Sequence, residues 1–501
     1  MTSPVSALKP PLWSRDSLNE MVSESLKDYR LICVGNREPY SHEFTPSGIR
    51  CVEPASGVVS ALDPVMQATG GTWIAHGSGS ADWETADAMG RLRVPPDRER
   101  YTLRRIALSR EEEDRYYYGF ANEALWPLCH IAYQRPVFEQ EDWDCYLKVN
   151  EKFADAVVQE TGPKRPLVFI QDYHFALLAR MIKRRLPDAV VFQFWHIPWP
   201  NPEVFRICPW KRELLDGLLG NDLLSFHIQY HCNNFLDTVD RELEALVDRD
   251  KFTVTCHGSP TVVRPQPIGV DFESMSEESA DPATEEAAQE FRDVHGLEGQ
   301  KILLGVDRLD YTKGLLERIE AMDRLLRRHP EHVGRVCMIE IGVPSRSRIE
   351  TYRRFGDEVE RRVDEINRRH SSGSWKPLLF LKGQRERRDL IPLFRMADVC
   401  VVTPVHDGMN LVAKEFIASR EDRQGVLLLS SFAGAARELT QALLVNPFAV
   451  DAMAEVMHEA LRMTPEEQEE RMDRMREIVR EQNVYKWVGK LLQLAVRLEP
   501  S

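Results

Sequence analysis

KILLGVDRLDYTKG (301–314) reads as a buried strand that turns polar at its end and stops in a glycine turn. LLERIEAMDRLLRRH (315–329) follows with apolar residues at helical spacing. Strand, polar turn and helix in that order form half of a right-handed crossover in a parallel sheet. The unit repeats downstream in RVCMIEIG (335–342), PLLFLKG (377–383), DVCVVTP (398–404) and GVLLLSS (425–431). Upstream it repeats in RLICVG (30–35), PLVFIQDYH (166–174), AVVFQFWHIPWP (189–200) and NDLLSFH (221–227). Two series of this kind predict an α/β chain with two doubly wound domains. The expected plan is a peripheral segment 1–29, a first domain 30–268, a second domain 269–480 and a terminal amphipathic helix in 481–501. The Glu-, Asp-, Ala- and Ser-rich stretch 273–300 reads as the approach to the second domain.

Composition narrows the class. The 501 residues carry 65 Lys and Arg against 79 Asp and Glu, a net charge of −14. Such a chain is a poor general binder of nucleic acid or anionic membrane, so positive charge meant for an anionic ligand has to be concentrated in a pocket. Nine scattered cysteines form no CxxC pair and read as reduced, buried thiols. Asp16, Glu20 and Glu24 break any leader-like apolar run, and no stretch reaches the ~18 apolar residues of a membrane span. The expectation is a cytoplasmic protein with small-molecule substrates, no nucleic-acid or membrane partner, and self-association as an option.

In open α/β sheets ligands bind at the carboxyl ends of strands, and the informative polar residues fall there. Arg308 and Lys313 in VDRLDYTKG (306–314) suit a diphosphate, one as a planar fork and the other as a point charge. In TPVHDGMNLVAKEF (403–416) a helix starts near Asn410, so the amides of Met409 to Val412 can face an anion. Glu415 then suits the hydroxyls of a ribose, and Asp407 those of a sugar. His196 in FWHIPWPNPEVF (194–205) is fixed by Pro198 and Pro200, and Asp172 in VFIQDYH (168–174) can accept a bond from an acceptor hydroxyl. Arg37 in GNREPY (35–40) suits an acceptor phosphate, while Gly57 in PASGVVSAL (54–62) permits close backbone approach. Tyr117 and Trp126 in RYYYGFANEALWP (115–127) can stack on a sugar, although aromatics so spaced are commoner in cores. His227 and His231 in HIQYH have zinc-like spacing without a third ligand, so no metal is expected. EEED (111–114) and 465–481 read as solvated faces.

Together NEALWP, DYH, HIPWP, RLDYTKG, DGMNLVAKE and SSFAGAARELT (430–440) resemble the trehalose-6-phosphate synthase family of glycosyltransferases, which includes the glucosylglycerol-phosphate synthases. The resemblance spans about residues 30–495. It implies a GT-B fold, two Rossmann-like domains facing a cleft, with the terminal helix packed back on the first. It implies donor contacts from Arg308, Lys313, Asp407, Met409, Asn410, Leu411, Val412 and Glu415, with Gly57 near the donor and His196 beside the transferred glucose. It implies acceptor contacts from Arg37, Tyr117, Trp126, Asp172 and Arg346, the last from the loop VPSRSR. His196, Asp172, Asp407, Arg308 and Lys313 are the residues implied to carry catalysis. The implied chemistry retains the anomeric configuration without a protein nucleophile, a cofactor or a metal.

The departures lie on the acceptor side. Ser56-Gly57 stands where the family has a double glycine, His76 stands where a second Trp is frequent, and REPY (37–40) is closer to the glucosylglycerol-phosphate branch. Met409 in DGMN is the form of the trehalose branch. The leading expectation is therefore transfer from UDP-glucose to glucose 6-phosphate. The second keeps that donor with glycerol 3-phosphate or another phosphorylated acceptor. The third, of another class, is an inactive sugar-phosphate-binding regulator.

Overall fold

A computed structural model describes residues 12–53 and 57–498. Among these residues, ten strands form one sheet, six form another and two form a hairpin, Ser41–Thr45 with Gly48–Val52. In the large sheet Tyr29–Arg37 is central. Thr72–His76 and then Tyr101–Ile106 lie on one flank, and Arg165–Gln171, Val190–Phe194, Leu223–Phe226 and Ser259–Pro265 lie in turn on the other. These strands are all parallel, and antiparallel strands close both edges. The small sheet is parallel throughout, in the order Leu378–Lys382, Val336–Val343, Lys301–Arg308, Val399–Val402, Val426–Ser430, Leu443–Val445.

Both sheets start in the middle and reverse once. The first reverses between Tyr29–Arg37 and Arg165–Gln171, the second between Lys301–Arg308 and Val399–Val402. Adjacent connections there leave in opposite directions and open a crevice beyond the strand ends. The sequence itself ends the strands. Val190–Phe194 stops ahead of the Pro198 and Pro200 loop, since proline removes a backbone donor. Lys301–Arg308 stops where Asp310 caps a 3₁₀ turn, its Oδ1 accepting from the Thr312 amide at 3.0 Å.

Behind the second reversal lies a buried charge cluster. The wholly buried Arg318 donates to Asp307 at 2.8 Å, to Glu340 and, at 3.3 Å, to the Val401 carbonyl. One guanidinium thus clips three neighbouring strands, among them the one that ends at Arg308. A charge this deep is tolerated only because its hydrogen bonds are complete.

The chain passes between the sheets twice. Phe272–Ala280 and Pro282–His295 occupy the charged stretch ahead of the small sheet, and the last helix, Val484–Arg497, returns to the large one. That helix packs on Arg15–Ser25, on Gly57–Thr69 and on the Val190–Phe194 strand. The two passages touch. The Val484 amide donates to the Val270 carbonyl at 3.1 Å, and a Cβ on Gly269 would lie 2.1 Å from the Gln482 carbonyl oxygen. All nine cysteines are free thiols, eight buried and Cys51 partly so. No helix among the described residues is long and apolar enough to cross a membrane.

Candidate active site

On the second-domain side the site begins at the 3₁₀ turn Tyr311–Lys313. Gly314 has φ +67°, and any Cβ there would meet the Thr403 carbonyl oxygen at 1.9 Å, so only glycine lets this turn lie against the neighbouring strand. The turn aims Lys313 Nζ at Asp407 Oδ2, 2.5 Å away. Burial raises the Asp407 carboxyl, but the Lys313 charge and hydrogen bond outweigh it and bring the group down to about 2. The Met409 amide lies 3.4 Å from Asp407 Oδ1 and Asn410 Nδ2 lies 3.3 Å from Oδ2. Asn410, at φ 73°, turns the chain into the helix Leu411–Ala418, whose first amides have no partner within the helix. Glu415 sits one turn further in. Burial raises its carboxyl to about 7, against a smaller lowering by Arg387.

On the first-domain side Asp172 caps Arg165–Gln171 at φ 69° and accepts from the His196 amide at 3.1 Å. Burial raises its carboxyl to about 7, with hydrogen bonds from the Tyr173 and His196 amides opposing. His196 Nε2 lies 2.9 Å from Gln171 Oε1, and burial lowers the imidazole to about 3, so it is neutral at physiological pH. The halves meet here, since a Cβ on Gly408 would stand 2.3 Å from the His196 carbonyl oxygen. His227 Nε2 contacts that same carbonyl at 3.1 Å, and His231 faces His406, so the HIQYH pair serves packing.

Three arginines act on one phenol. Burial would raise the Tyr117 hydroxyl, yet Arg346, Arg37 (through charge and a hydrogen bond) and Arg308 lower it to about 8. Arg37 is exposed at the end of its strand, with His76 beside it in register on the next one. Arg346 is buried at φ 49° and bonds Asp310 at 2.9 Å, the Tyr352 hydroxyl at 2.6 Å and the Tyr173 hydroxyl at 3.2 Å. Both domains therefore supply the cluster.

Several expectations need revision or extension. Trp126 does not offer its face to a sugar. It is 4% exposed, and the Arg346 guanidinium lies 3.8 Å from its ring centre, with Arg308 at 5.2 Å. It is a cation–π floor for two arginines. One face of Tyr117 is taken by His174, stacked at 5.7 Å. EEED is not a solvated face throughout. Glu112 is buried beside Lys148 and Lys152, while Glu113 and Asp114 bind Arg348 of the other domain at 3.0 and 2.8 Å. Gly57 opens the helix Gly57–Thr69, and Ser56 lies outside the described residues. The sequence reading passed over Asp310, which is wholly buried, and Gln171 and His174, although all three stand inside or beside the quoted strings. Both ring nitrogens of His174 are buried without a protein hydrogen-bond partner. A motif quoted as a block gives no hint of which members face the cleft.

A family model described as glycosyltransferase family 20 matches residues 29–497. The chain belongs to glycosyltransferase family 20. The bifunctional trehalose-6-phosphate synthase/phosphatase of Thermoproteus tenax is 38% identical over 471 residues, 91% of this chain but only 62% of that protein. The trehalose-6-phosphate synthase of Mycolicibacterium vanbaalenii is 37% identical over 451 residues, 89% of this chain and 91% of the relative. An alpha,alpha-trehalose-phosphate synthase (UDP-forming) from Burkholderia xenovorans, in complex with glucose-6-phosphate, aligns with TM-score 0.83 and 31% identity over 93% of this chain and 99% of its own. The family 20 fold is GT-B, as the resemblance implied, and the two parallel sheets with their facing strand ends are its Rossmann-like halves.

Proposed function

We propose that this family 20 member transfers glucose from UDP-glucose to glucose 6-phosphate, with retention, to give trehalose 6-phosphate and UDP. The observation that carries the reading is the gathering of Arg308 and Arg346 over Trp126, with Arg37 of the other domain joining them in lowering the Tyr117 hydroxyl, and with Arg346 bonded to the Asp310 that caps the turn of Lys313. A diphosphate and a phosphomonoester together bring about four negative charges. Arg37, Arg346, Arg308 and Lys313 can balance them inside a chain whose net charge is −14. The names of the relatives supply the sugars: one is UDP-forming and is bound to glucose-6-phosphate.

In this reading Arg308, Lys313 and the amides ahead of Leu411–Ala418 hold the diphosphate, and Glu415 holds the ribose. Arg37, Tyr117 and Arg346 hold the acceptor phosphate. Asp172 and the neutral His196 orient the sugars. The bond from the anomeric carbon to the diphosphate oxygen breaks with its electron pair leaving on that oxygen. The same oxygen takes the acceptor hydroxyl proton while the new bond forms on the face it has left. The protein's contribution is position and charge stabilisation at the departing diphosphate.

A second reading rests on His76, which is smaller than an indole and stands next to Arg37. It favours a shorter acceptor such as glycerol 3-phosphate. The deciding experiment presents UDP-glucose with each acceptor and resolves the product by mass. Trehalose 6-phosphate is expected as the preferred product by kcat/KM. Transfer to glycerol 3-phosphate alone would overturn the acceptor, and no transfer to either would overturn the activity.

A further inference from the structure

A cluster far from the cleft has no part in this chemistry. His329, Glu331 and His332 fall in one tight turn after the helix Leu315–Arg328, and His458 and Glu455 lie one turn apart on the helix Val450–Arg462. The turn is the opposite end of the helix that begins beside Lys313, roughly 20 Å away at 1.5 Å per residue. His332 Nε2 lies 2.9 Å from His458 Nδ1. Glu331 Oε1 lies 3.7 Å from His329 Nδ1 and 3.9 Å from His458 Nδ1.

We propose that this cluster is a site for one divalent transition-metal ion of the zinc type, held by His329, Glu331, His458 and His332. Four ligand atoms around Zn²⁺ at ~2.0–2.1 Å lie ~3.3 Å from one another, and the separations above straddle that value. The two separations from Glu331 are too long for hydrogen bonds between carboxylate and imidazole, and close to what an ion between them sets. Among the described residues, only His329–Glu331–His458 and Asp216–Cys256–His257 bring three such ligand atoms within 4.8 Å of one another; His332 joins the first set through its contact with His458. Imidazole donors select zinc, cobalt or nickel over magnesium or calcium.

The surroundings match a ligated histidine as well. His329 Nε2 is 3.0 Å from Glu455 Oε2, so the carboxylate holds the far nitrogen and leaves Nδ1 for the metal. The ion replaces the proton shared by His332 Nε2 and His458 Nδ1, which moves to the far nitrogen of its own imidazole, so each ring stays neutral with one N–H. The exposed Arg462, 3.3 Å from His458 Nε2, yields its place when that nitrogen becomes the protonated one. His329 and His458 stack at 3.7 Å, so both rings turn about Cβ–Cγ to aim at one ion; their side chains are 19% and 15% exposed, at a surface that leaves room for the turn. An ion here staples two helices of the second domain and stabilises it by mass action.

The test is titration of the full-length, metal-stripped chain with Zn²⁺ against a chromophoric chelator, and with Co²⁺ followed by its visible absorption. The expected result is one equivalent per chain, a Co²⁺ spectrum of tetrahedral intensity and a Tm that rises with Zn²⁺. The double variant His329→Ala/His458→Ala loses that equivalent and the Tm rise while glucosyl transfer continues. Glu455→Gln weakens Zn²⁺ by about 10- to 100-fold and decides the matter if the double variant does not fold. Failure of the wild type to take up an equivalent, or uptake as tight in these variants as in wild type, would overturn the site.

Discussion

At the scale of single residues, the site is governed by what burial does to carboxylates. Asp407 and Glu415 stand on one loop-helix segment, yet one is held near 2 and the other near 7. Lys313 makes the difference, since it reaches Asp407 and no comparable cation reaches Glu415. The consequence for Glu415 has a definite sign. Its folded pKa lies above its unfolded one, so the contribution is fully favourable below pH 4.5, is lost as pH rises to about 7, and stays lost above that. Glu415→Gln is expected to remove this slope. Its Tm relative to wild type should rise between pH 5 and pH 8, while UDP binding weakens by roughly 10- to 150-fold for one charge-assisted hydrogen bond of ~1.5–3 kcal/mol. A Tm difference that is the same at both pH values would refute the buried-charge account. Charge at a strand end was legible in the sequence: Arg37, Asp172, Arg308 and Asp407 were all found that way. Partnership was not. Nothing in NEALWP reveals that an arginine from a distant loop occupies the face of Trp126, because that contact joins residues 126 and 346.

At the scale of elements, the long parallel strands were legible because each is a run of apolar residues buried on both faces. Tyr101–Ile106 was not, because Arg104 and Arg105 interrupt its pattern. Arg105 is nonetheless 1% exposed, bonded to Glu38 at 2.7 Å and to Asp82 at 2.9 Å, a compensation that becomes visible only in three dimensions. The π-helix Glu113–Leu125 was equally hidden. Its wide turn lets Asn122 Nδ2 donate to the Tyr117 carbonyl five residues back at 2.7 Å, while Tyr117 leans onto His174. Such helices recur at functional sites. Loop contacts between domains are as exacting. Gly408 abuts the His196 carbonyl, and a Cβ on Gly434 would stand 2.0 Å from the Gly408 carbonyl oxygen. Three backbone segments therefore stack with no room for a methyl group. Gly408→Ala is expected to push Asp407 away from His196 and cut kcat by about 100-fold, the scale of a 1 Å misplacement, with Tm little changed. An unchanged kcat would show that the contact is not needed for transfer.

At the scale of the whole molecule, the second domain is joined to the first by two adjacent passages, at Gly269–Val270 and Gln482–Val484. Two passages side by side make a narrow joint, and the final helix anchors its far end. Trp487 is the anchor, with ring centres 5.1 Å from Phe194, 6.1 Å from Phe169 and 6.1 Å from His196. It is 2% exposed, so truncation empties a large volume beneath the strand that leads to His196. Trp487→Ala is expected to cost about 3–5 kcal/mol of stability. The effect should not be stability alone. Loosening the anchor frees the joint and the His196 end together, so kcat should fall at temperatures where the variant is still folded. Trp487→Phe, which keeps an aromatic ring between Phe194 and Phe169, should restore most of the Tm and most of the rate. Thermal unfolding followed by initial rates below the transition separates the two effects. A variant that loses Tm but turns over at the wild-type rate would show that the last helix stabilises the fold without governing how the domains meet.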